Sequence, residues 1–269
     1  MIQLKTNEEI RFMKVAAKHL SYWMNGIIEK IFYFDFPWTG KLIEQEFLEY
    51  LNGLTPSLNF KAPFCEVKNK NGNIFGSPIC ISINDEIVHC RPDNRLFRSG
   101  DMIKIDAGLS YRGYCADMAR TIIFPNPSDF KPTDLWFEKT NFRNITIDAL
   151  NDGIAACIVG KTIGDISKAI NKVGQDNKLG IVTDYAGHGI GLNVHESPIV
   201  PNMPGIHIDE QIVLRANMIL CIEPMFTMGS GLVLKDSDGW RVWTADGAMA
   251  CHEESEILIT EFGPEVLTK

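Results

Sequence analysis

Apolar positions near the amino end follow a helical period. Ile10, Met13, Ala17, Leu20, Met24, Ile27 and Ile31 recur at three- and four-residue spacing, which places them on one stripe of a helix. Thr6-Asn7-Glu8-Glu9, just ahead of them, fits a capping box. The pattern predicts a long amphipathic helix, ended by the aromatic stretch from Phe32 to Trp38 that contains Pro37. A shorter helix is predicted from Thr39, with Leu42, Ile43, Phe47, Leu51 and Leu54 on one face. All these residues read as core. Between Asn59 and Gly76 the period is lost, and Asn69, Asn71, Gly72 and Asn73 predict an exposed turn. Residues 79–84 then alternate apolar and small polar side chains, Asp85-Glu86 turns, and Ile87-Val88-His89 resumes. This predicts a strand pair ending on His89.

The next segment carries the first chemistry. Ile103-Lys104-Ile105-Asp106-Ala107-Gly108 runs towards a turn at Arg112-Gly113, and Asp117-Met118-Ala119-Arg120-Thr121-Ile122-Ile123 runs back. With a two-residue loop, Asp106 faces Ala119, and Asp117 shares its side of the pair at a diagonal of about 7–8 Å. Two solvent-facing aspartates on an edge hairpin explain this pattern equally well. Pro125, Pro127 and Pro132 predict a linker. Thr133-Asp134 opens a second long helix through about Val159, with Trp136, Phe137, Ile145, Leu150, Ile154 and Ile158 apolar and Gly160 as its stop. Thr162-Ile163-Gly164-Asp165 caps another short helix carrying Ile166, Ile170 and Val173. Long helix, short helix, strands thus occurs twice, which points to a structural repeat.

In the second half, Gly187-His188-Gly189-Ile190-Gly191-Leu192-Asn193-Val194-His195 places two histidines at an odd spacing. On a regular strand their rings would point to opposite faces. The glycines predict a bend that lets both imidazoles aim at one place. Leu192 stands where a dinucleotide loop needs its third glycine, which excludes that motif. Taken alone, without partners elsewhere in the chain, the stretch reads better as a glycine-rich turn with two incidental histidines. Glu223 interrupts the apolar run 218–226, where a carboxylate is costly unless paired, protonated or bound to metal. Residues 250–260 add Glu253, Glu254 and Glu256, of which at least one is expected to be solvated.

Bulk properties narrow the classes. The chain has 269 residues, enough for one large α/β domain or two small ones, and a net charge of −8 with no Lys/Arg run, which argues against a nucleic-acid partner. No signal peptide or membrane-spanning apolar run is visible. Seven cysteines without a C-x-x-C pair do not suggest a disulfide framework or zinc finger, so a reducing, cytoplasmic setting is expected. Asp106, Asp117, Glu223 and one terminal glutamate, gathered around His188, would repel one another strongly without a cation. Two divalent ions would balance that charge, polarise a carbonyl and generate a hydroxide nucleophile. Oxygen-rich ligation with one imidazole suits Mn, Fe, Co or Zn. His89 and His195 would then remain as unligated donors beside the scissile group.

These residues also resemble a known family. Ser82-x-Asn84 with His89, the Asp106/Asp117 pair, Gly187-His188-Gly189-Ile190-Gly191 with His195-Glu196-x-Pro198, and Glu223-Pro224-Met225 are similar to type I methionine aminopeptidases over roughly residues 5–265. The resemblance implies a single catalytic domain over 1–269 with the α+β pita-bread fold. That fold is a pseudo-twofold repeat of helices packed on a curved antiparallel sheet, here with halves of about 1–125 and 133–269. It implies that Asp106 binds one metal, that His188 and Glu223 bind the other, and that Asp117 and Glu254 bridge them. Glu223 is the implied general base, and His89 and His195 the substrate-contacting histidines. Cys80 and Trp240 match pocket-lining positions, with Phe64 or Phe75 completing the pocket. The implied activity is removal of the initiator methionine from nascent chains with a small second residue, by a monomer that acts in the cytoplasm or at the ribosome. The chain departs from the pattern at Ser255-Glu256, where the family has His-Thr, at Cys115, where glycine is common, and across 59–76. Three alternatives stand beside this reading: a prolidase or aminopeptidase P relative, a pita-bread binding protein without catalysis, and an unrelated acidic enzyme. The first usually has an extra amino-terminal domain and Pro-Gly after the glutamate; the second should lack ligands.

Overall fold

The computed structural model describes residues 2–54, 59–125 and 133–269; of the expected linker prolines, Pro127 and Pro132 lie outside them. Helix α1 (Asn7–Tyr33) begins as its sequence predicts. Thr6 Oγ1 accepts the Glu9 N–H, and the Glu9 carboxylate accepts the Thr6 N–H. This satisfies amides that the first turn otherwise leaves unpaired. Thr6→Ala is therefore expected to lower stability by about 1 kcal/mol, read from the midpoint of urea unfolding. The apolar stripe of α1 is buried, and Ile43 and Phe47 of α2 (Gly40–Gly53) pack beside it.

Five strands follow: β1 (Phe60–Lys61), β2 (Ile79–Ile83), β3 (Glu86–Val88), β4 (Met102–Tyr111) and β5 (Tyr114–Ile123). Strands β4 and β5 form the predicted hairpin, with Arg112 and Gly113 both in the left-handed region at φ 52° and 86°. That turn matches the strand twist and leaves no freedom of register. Asp106 accordingly pairs with Ala119, and Gly108 with Asp117. The other edge of β4 takes β1 and β2. The exposed turn expected at 69–73 is present, closed by a bridge between Lys68 and Ile74.

The predicted pairing of β2 with β3 does not form as a ladder. Ile81 N–H donates past β3 to Cys90 O at 2.9 Å, and Ile83 N–H goes to the Glu86 side chain at 2.7 Å. Asn84, at φ 57°, turns the chain away, and Ile87 and Val88 bury instead against Val182, Met225 and Val242.

Helix α3 (Asp134–Ala155) ends before the predicted Val159. Cys157 N–H bonds Ile154 O, and Gly160 N–H bonds Leu214 O, so the last turn tightens and leaves the helix axis. Its buried face also differs from the one expected. Phe142, Ala149, Leu150 and Gly153 face inwards while Phe137 and Ile158 are exposed. Gly153 sets that rotation, because a Cβ there would stand 3.0 Å from both Ile170 and Ile222. Helix α4 (Ile163–Asp176) carries the predicted capping box between Thr162 and Asp165.

The remaining strands are β6 (Gly180–Ile181), β7 (Gly187–Gly189), β8 (Glu196–Val200), β9 (Ile219–Ile222), β10 (Met225–Thr227), β11 (Val233–Lys235), β12 (Val242–Thr244), β13 (Ala250–His252), β14 (Ser255–Thr260) and β15 (Gly263–Val266). They build a five-stranded sheet ordered β15-β14-β9-β7-β8 and two three-stranded sheets, β13-β10-β6 and β11-β12-β3. Every pairing is antiparallel. One core packs α1 and α2 on β2, β4 and β5, and a second packs α3 and α4 on β9, β10 and β14. The order seen twice in the sequence is thus seen twice in the fold, and the inner strand faces of the two halves meet.

Candidate metal centre

A cavity of about 500 Å³ opens where the halves meet, and its lining includes every residue expected as a metal ligand, substrate-contacting histidine or pocket wall: Phe64, Phe75, Cys80, His89, Asp106, Asp117, His188, His195, Glu223, Trp240 and Glu254. Asp106 and Asp117 come from the inner face of the β4–β5 hairpin. Glu254 is drawn against them by its own backbone, whose N–H donates to Ala119 O at 3.0 Å. His188 lies on β7 between Ile199 of β8 and Cys221 of β9. Its Nδ1 is 2.9 Å from Gly189 O, so Nδ1–H donates there and Nε2 is left for the cavity. Nε2 stands 3.4 Å from Glu223 Oε1.

The bend that brings His188 and His195 together is present, with ring centroids 4.5 Å apart and planes at 81°. Its cause differs from the one predicted. Gly187 and Gly189 have no positive φ; a register shift between His188 and Gly189 supplies the bend. The glycines are needed for close approach, because a Cβ on Gly187 would meet Cys221 O at 2.3 Å and one on Gly189 would meet Ser197 O at 2.3 Å. Both obstacles are backbone and cannot rotate aside. Gly189→Ala is expected to cost about 1–3 kcal/mol, measured as a drop in unfolding free energy.

Charge at the centre is not balanced by the chain itself. Burial raises Asp106 to about 6. Burial, and then Glu254, Asp106 and Glu223, raise Asp117 well above the usual carboxylate range. Glu223 and Glu254 are raised likewise, by burial first and by neighbouring carboxylates second. Burial holds His188 and His89 down at about 3, so both imidazoles are neutral at pH 7. Asp106 Oδ1, Asp117 Oδ1 and Glu254 Oε1 are buried without a hydrogen-bond partner among the described residues. Ligand atoms of Asp117, His188, Cys221 and Glu254 all lie within 4.8 Å of one another. Orphaned oxygens, a free imidazole nitrogen and this spacing together fit divalent cations.

The pocket beside this cluster is apolar. Phe75 and Trp240 meet edge to face at 5.0 Å, and Trp240 also meets His89 at 5.9 Å. Phe64 closes over Gly108, where a Cβ would lie 2.6 Å from its ring. His89 sits at φ 59°, a conformation retained where surrounding structure over-determines it.

Three lining or adjacent residues went unremarked in the sequence. Cys221 shares a strand face with Glu223 by the two-residue period, a signal that was available. His252 stands just before the terminal acids and lines the cavity, as does Tyr185, whose ring lies 5.2 Å from His89. The expectation that one terminal acid is solvated is wrong. Glu253, Glu254 and Glu256 are all buried, because β14 is covered by β9 and β15 and Glu253 reaches Arg143. Glu256 does not line the cavity. Cys115 does not either; its N–H holds Gly191 O at 2.7 Å, fastening the bent stretch to β5.

Known proteins share this architecture. The profile of metallopeptidase family M24 matches residues 45–261. The chain is 36% identical to the methionine aminopeptidase of Clostridium perfringens, with 100% of this chain and 99% of that protein covered. It is 32% identical to that of Aquifex aeolicus with the same coverage. The solved methionine aminopeptidase of Thermotoga maritima superposes with a TM-score of 0.84 at 33% identity, both chains being covered in full. The expected α+β pita-bread fold is therefore the fold observed. With the family profile spanning most of its length and relatives matched from end to end, the chain belongs to metallopeptidase family M24.

Proposed function

We propose that the chain is a methionine aminopeptidase, which removes the N-terminal methionine from nascent polypeptides whose second residue is small. One observation carries the reading: a single cavity joins a buried carboxylate–imidazole cluster to an apolar wall of Phe64, Phe75, Cys80 and Trp240. That wall suits an unbranched apolar side chain, and the peptide bond next to it would then lie over the cluster. Asp106 would hold one divalent ion and His188 with Glu223 the other, and Asp117 and Glu254 would serve both; Mn, Fe, Co and Zn all suit these donors. When bound, the ions supply a Lewis acid and make water more acidic.

The protein's own groups do the rest. Glu223 accepts the proton of the attacking water and returns it to the leaving amine. His89 and His195 are neutral imidazoles facing the same space, and they donate N–H to the carbonyl oxygen as charge grows on it. The buried walls exclude competing water. The partner is the amino terminus of a nascent chain, met in the cytoplasm and at the ribosome, and the enzyme acts as a monomer.

A cleavage assay on Met-Ala-, Met-Lys- and Ala-Pro-led peptides, with and without Mn²⁺ or Co²⁺, tests the reading. Metal-dependent release of methionine from Met-Ala is the expected result. Preference for Ala-Pro, or no release with any metal, would sink it.

A further inference from the structure

Two surface turns carry the aromatic wall of the cavity. One runs from Lys68 to Ile74, closed by the bridge between those residues, and leads directly into Phe75. The other, between β11 and β12, contains Trp240. Phe75 N–H donates to Val67 O at 2.8 Å, and Trp240 N–H is accepted by Asp236 Oδ1 and Asp238 Oδ1, both at 3.0 Å. The two rings that meet at the wall are thus each anchored to a turn of their own.

Arg91 fastens these turns together. Its Nε donates to Phe75 O at 2.6 Å and its Nη2 to Ile74 O at 3.2 Å, while Nη1 reaches Asp238 Oδ2 at 2.6 Å. The guanidinium carbon lies 5.5 Å from the centre of the Phe75 ring. From the first turn, Asn69 Nδ2 and Asn73 Nδ2 both donate to Asp238 O, at 2.8 and 2.9 Å. Gly239, at φ 78°, lets the second turn come this close, because a Cβ there would stand 3.2 Å from Asn69 Nδ2. Asp238 therefore takes Arg91 and the Trp240 N–H on its carboxylate and two asparagines on its carbonyl.

Magnitude decides what this clamp is for. The Arg91 and Asp238 side chains are 39% and 42% exposed, and an ion pair so open to water contributes about 0–1 kcal/mol to stability. Direction is another matter. The planar guanidinium fork addresses two backbone carbonyls of one turn and a carboxylate of the other, which a point charge could not do. Neither residue lines the cavity, so each acts through the wall and not on a substrate. We infer that Arg91 and Asp238 are positioning residues for substrate selection: they set the 5.0 Å spacing of the Phe75 and Trp240 rings, and with it the width of the slot that takes the first side chain of the substrate. This deepens the methionine reading above and rests on it. With the clamp loosened the slot widens, so an unbranched side chain loses contact and a branched or aromatic one gains entry.

The test compares wild type with Arg91→Gln and Asp238→Asn, as metal-loaded full chains, on peptides led by Met-Ala, Leu-Ala and Phe-Ala. Each variant is expected to raise KM for Met-Ala about 5–10-fold with kcat within about twofold, the mark of lost uniform binding. Preference for Met-Ala over the other two, as a ratio of kcat/KM, should fall about 10-fold or more, since a misfit of one methylene is worth about 10–200-fold. Amide exchange of the metal-free chain, followed by mass spectrometry, reads the clamp without any activity. Residues 68–75 and 236–241 should exchange faster in both variants, with the melting temperature within about 3 °C of wild type. Unchanged KM and preference would overturn the proposal even with faster exchange, because the pair would then only brace the turns. So would unchanged exchange, or a fall in kcat at constant KM. Failure of wild type to release methionine would instead overturn the methionine reading, and the selecting role with it.

Discussion

Asp117→Asn will abolish the centre and, in the same protein, stabilise the metal-free fold. Asp117 is the carboxylate most crowded by others: Glu254, Asp106 and Glu223 all push its pKa upwards beyond the effect of burial. On the proposed two-ion reading, that crowding is what a bridging ligand requires. Replacing it with a neutral amide removes one of the charges that hold the ions, and losing a Lewis acid worth several kcal/mol lowers turnover by about 10²–10³-fold or more. Without ions the sign reverses. A carboxyl whose folded pKa is raised contributes stability that is present below its unfolded pKa and is lost as pH rises through the folded value. For Asp106 that window runs from about 3.8 to about 6; for Asp117 it begins in the same place and reaches well above the usual carboxylate range. The chelated wild type should therefore become less stable between pH 4 and neutrality, and chelated Asp117→Asn should melt higher than wild type at pH 7. Thermal unfolding with EDTA and with Co²⁺ reads both effects. A variant that binds ions as wild type does, or melts lower in EDTA, would contradict the argument.

His195→Ala is the complementary experiment, since it should spare the ions and remove the chemistry. His195 stands beside His188, the two rings edge to face at 4.5 Å, and among the described residues it forms no ion pair with a carboxylate. In the proposed mechanism its contribution is to the substrate carbonyl, where deletion of one such donor costs about 10²–10³-fold in turnover. Metal content should remain that of wild type, with the loss carried mainly by kcat. Departure of the ions from this variant would make His195 a ligand and the division of labour wrong.

The features that could be read in the sequence were those set by local rules. Thr6 and Thr162 each cap a helix whose period is plain in the residues that follow. The register of β4 on β5 follows from a two-residue loop alone, so the shared face of Asp106 and Asp117 needed no tertiary information. Other features depended on distant partners. β3 left β2 for β12 because Val242, far along the chain, gave Ile87 and Val88 a better surface. The face that α3 buries was decided by Ile170 and Ile222 closing on Gly153. At least one of Glu253, Glu254 and Glu256 read as solvated because nothing near them in sequence reveals that β14 lies inside its sheet. No period or spacing marks His252 among the acids that follow it. The glycines beside His188 pointed to the right place for an incorrect reason: a bend was expected of their dihedral freedom, whereas they serve the closeness of three strands.

The meeting of the two halves at the cavity has a mechanical consequence. Asp106 and Asp117 belong to the hairpin that packs under α1 and α2, while His188 and Glu223 extend from the sheet under α3 and α4. Ions held by both sets would cross-link two separately packed cores, joining points that are distant along the chain. All seven cysteines are free, so among the described residues no covalent bridge does this work. The centre would then act as a reversible rivet: the same bonds that ready the site for its substrate would set how tightly one half of the molecule is held to the other.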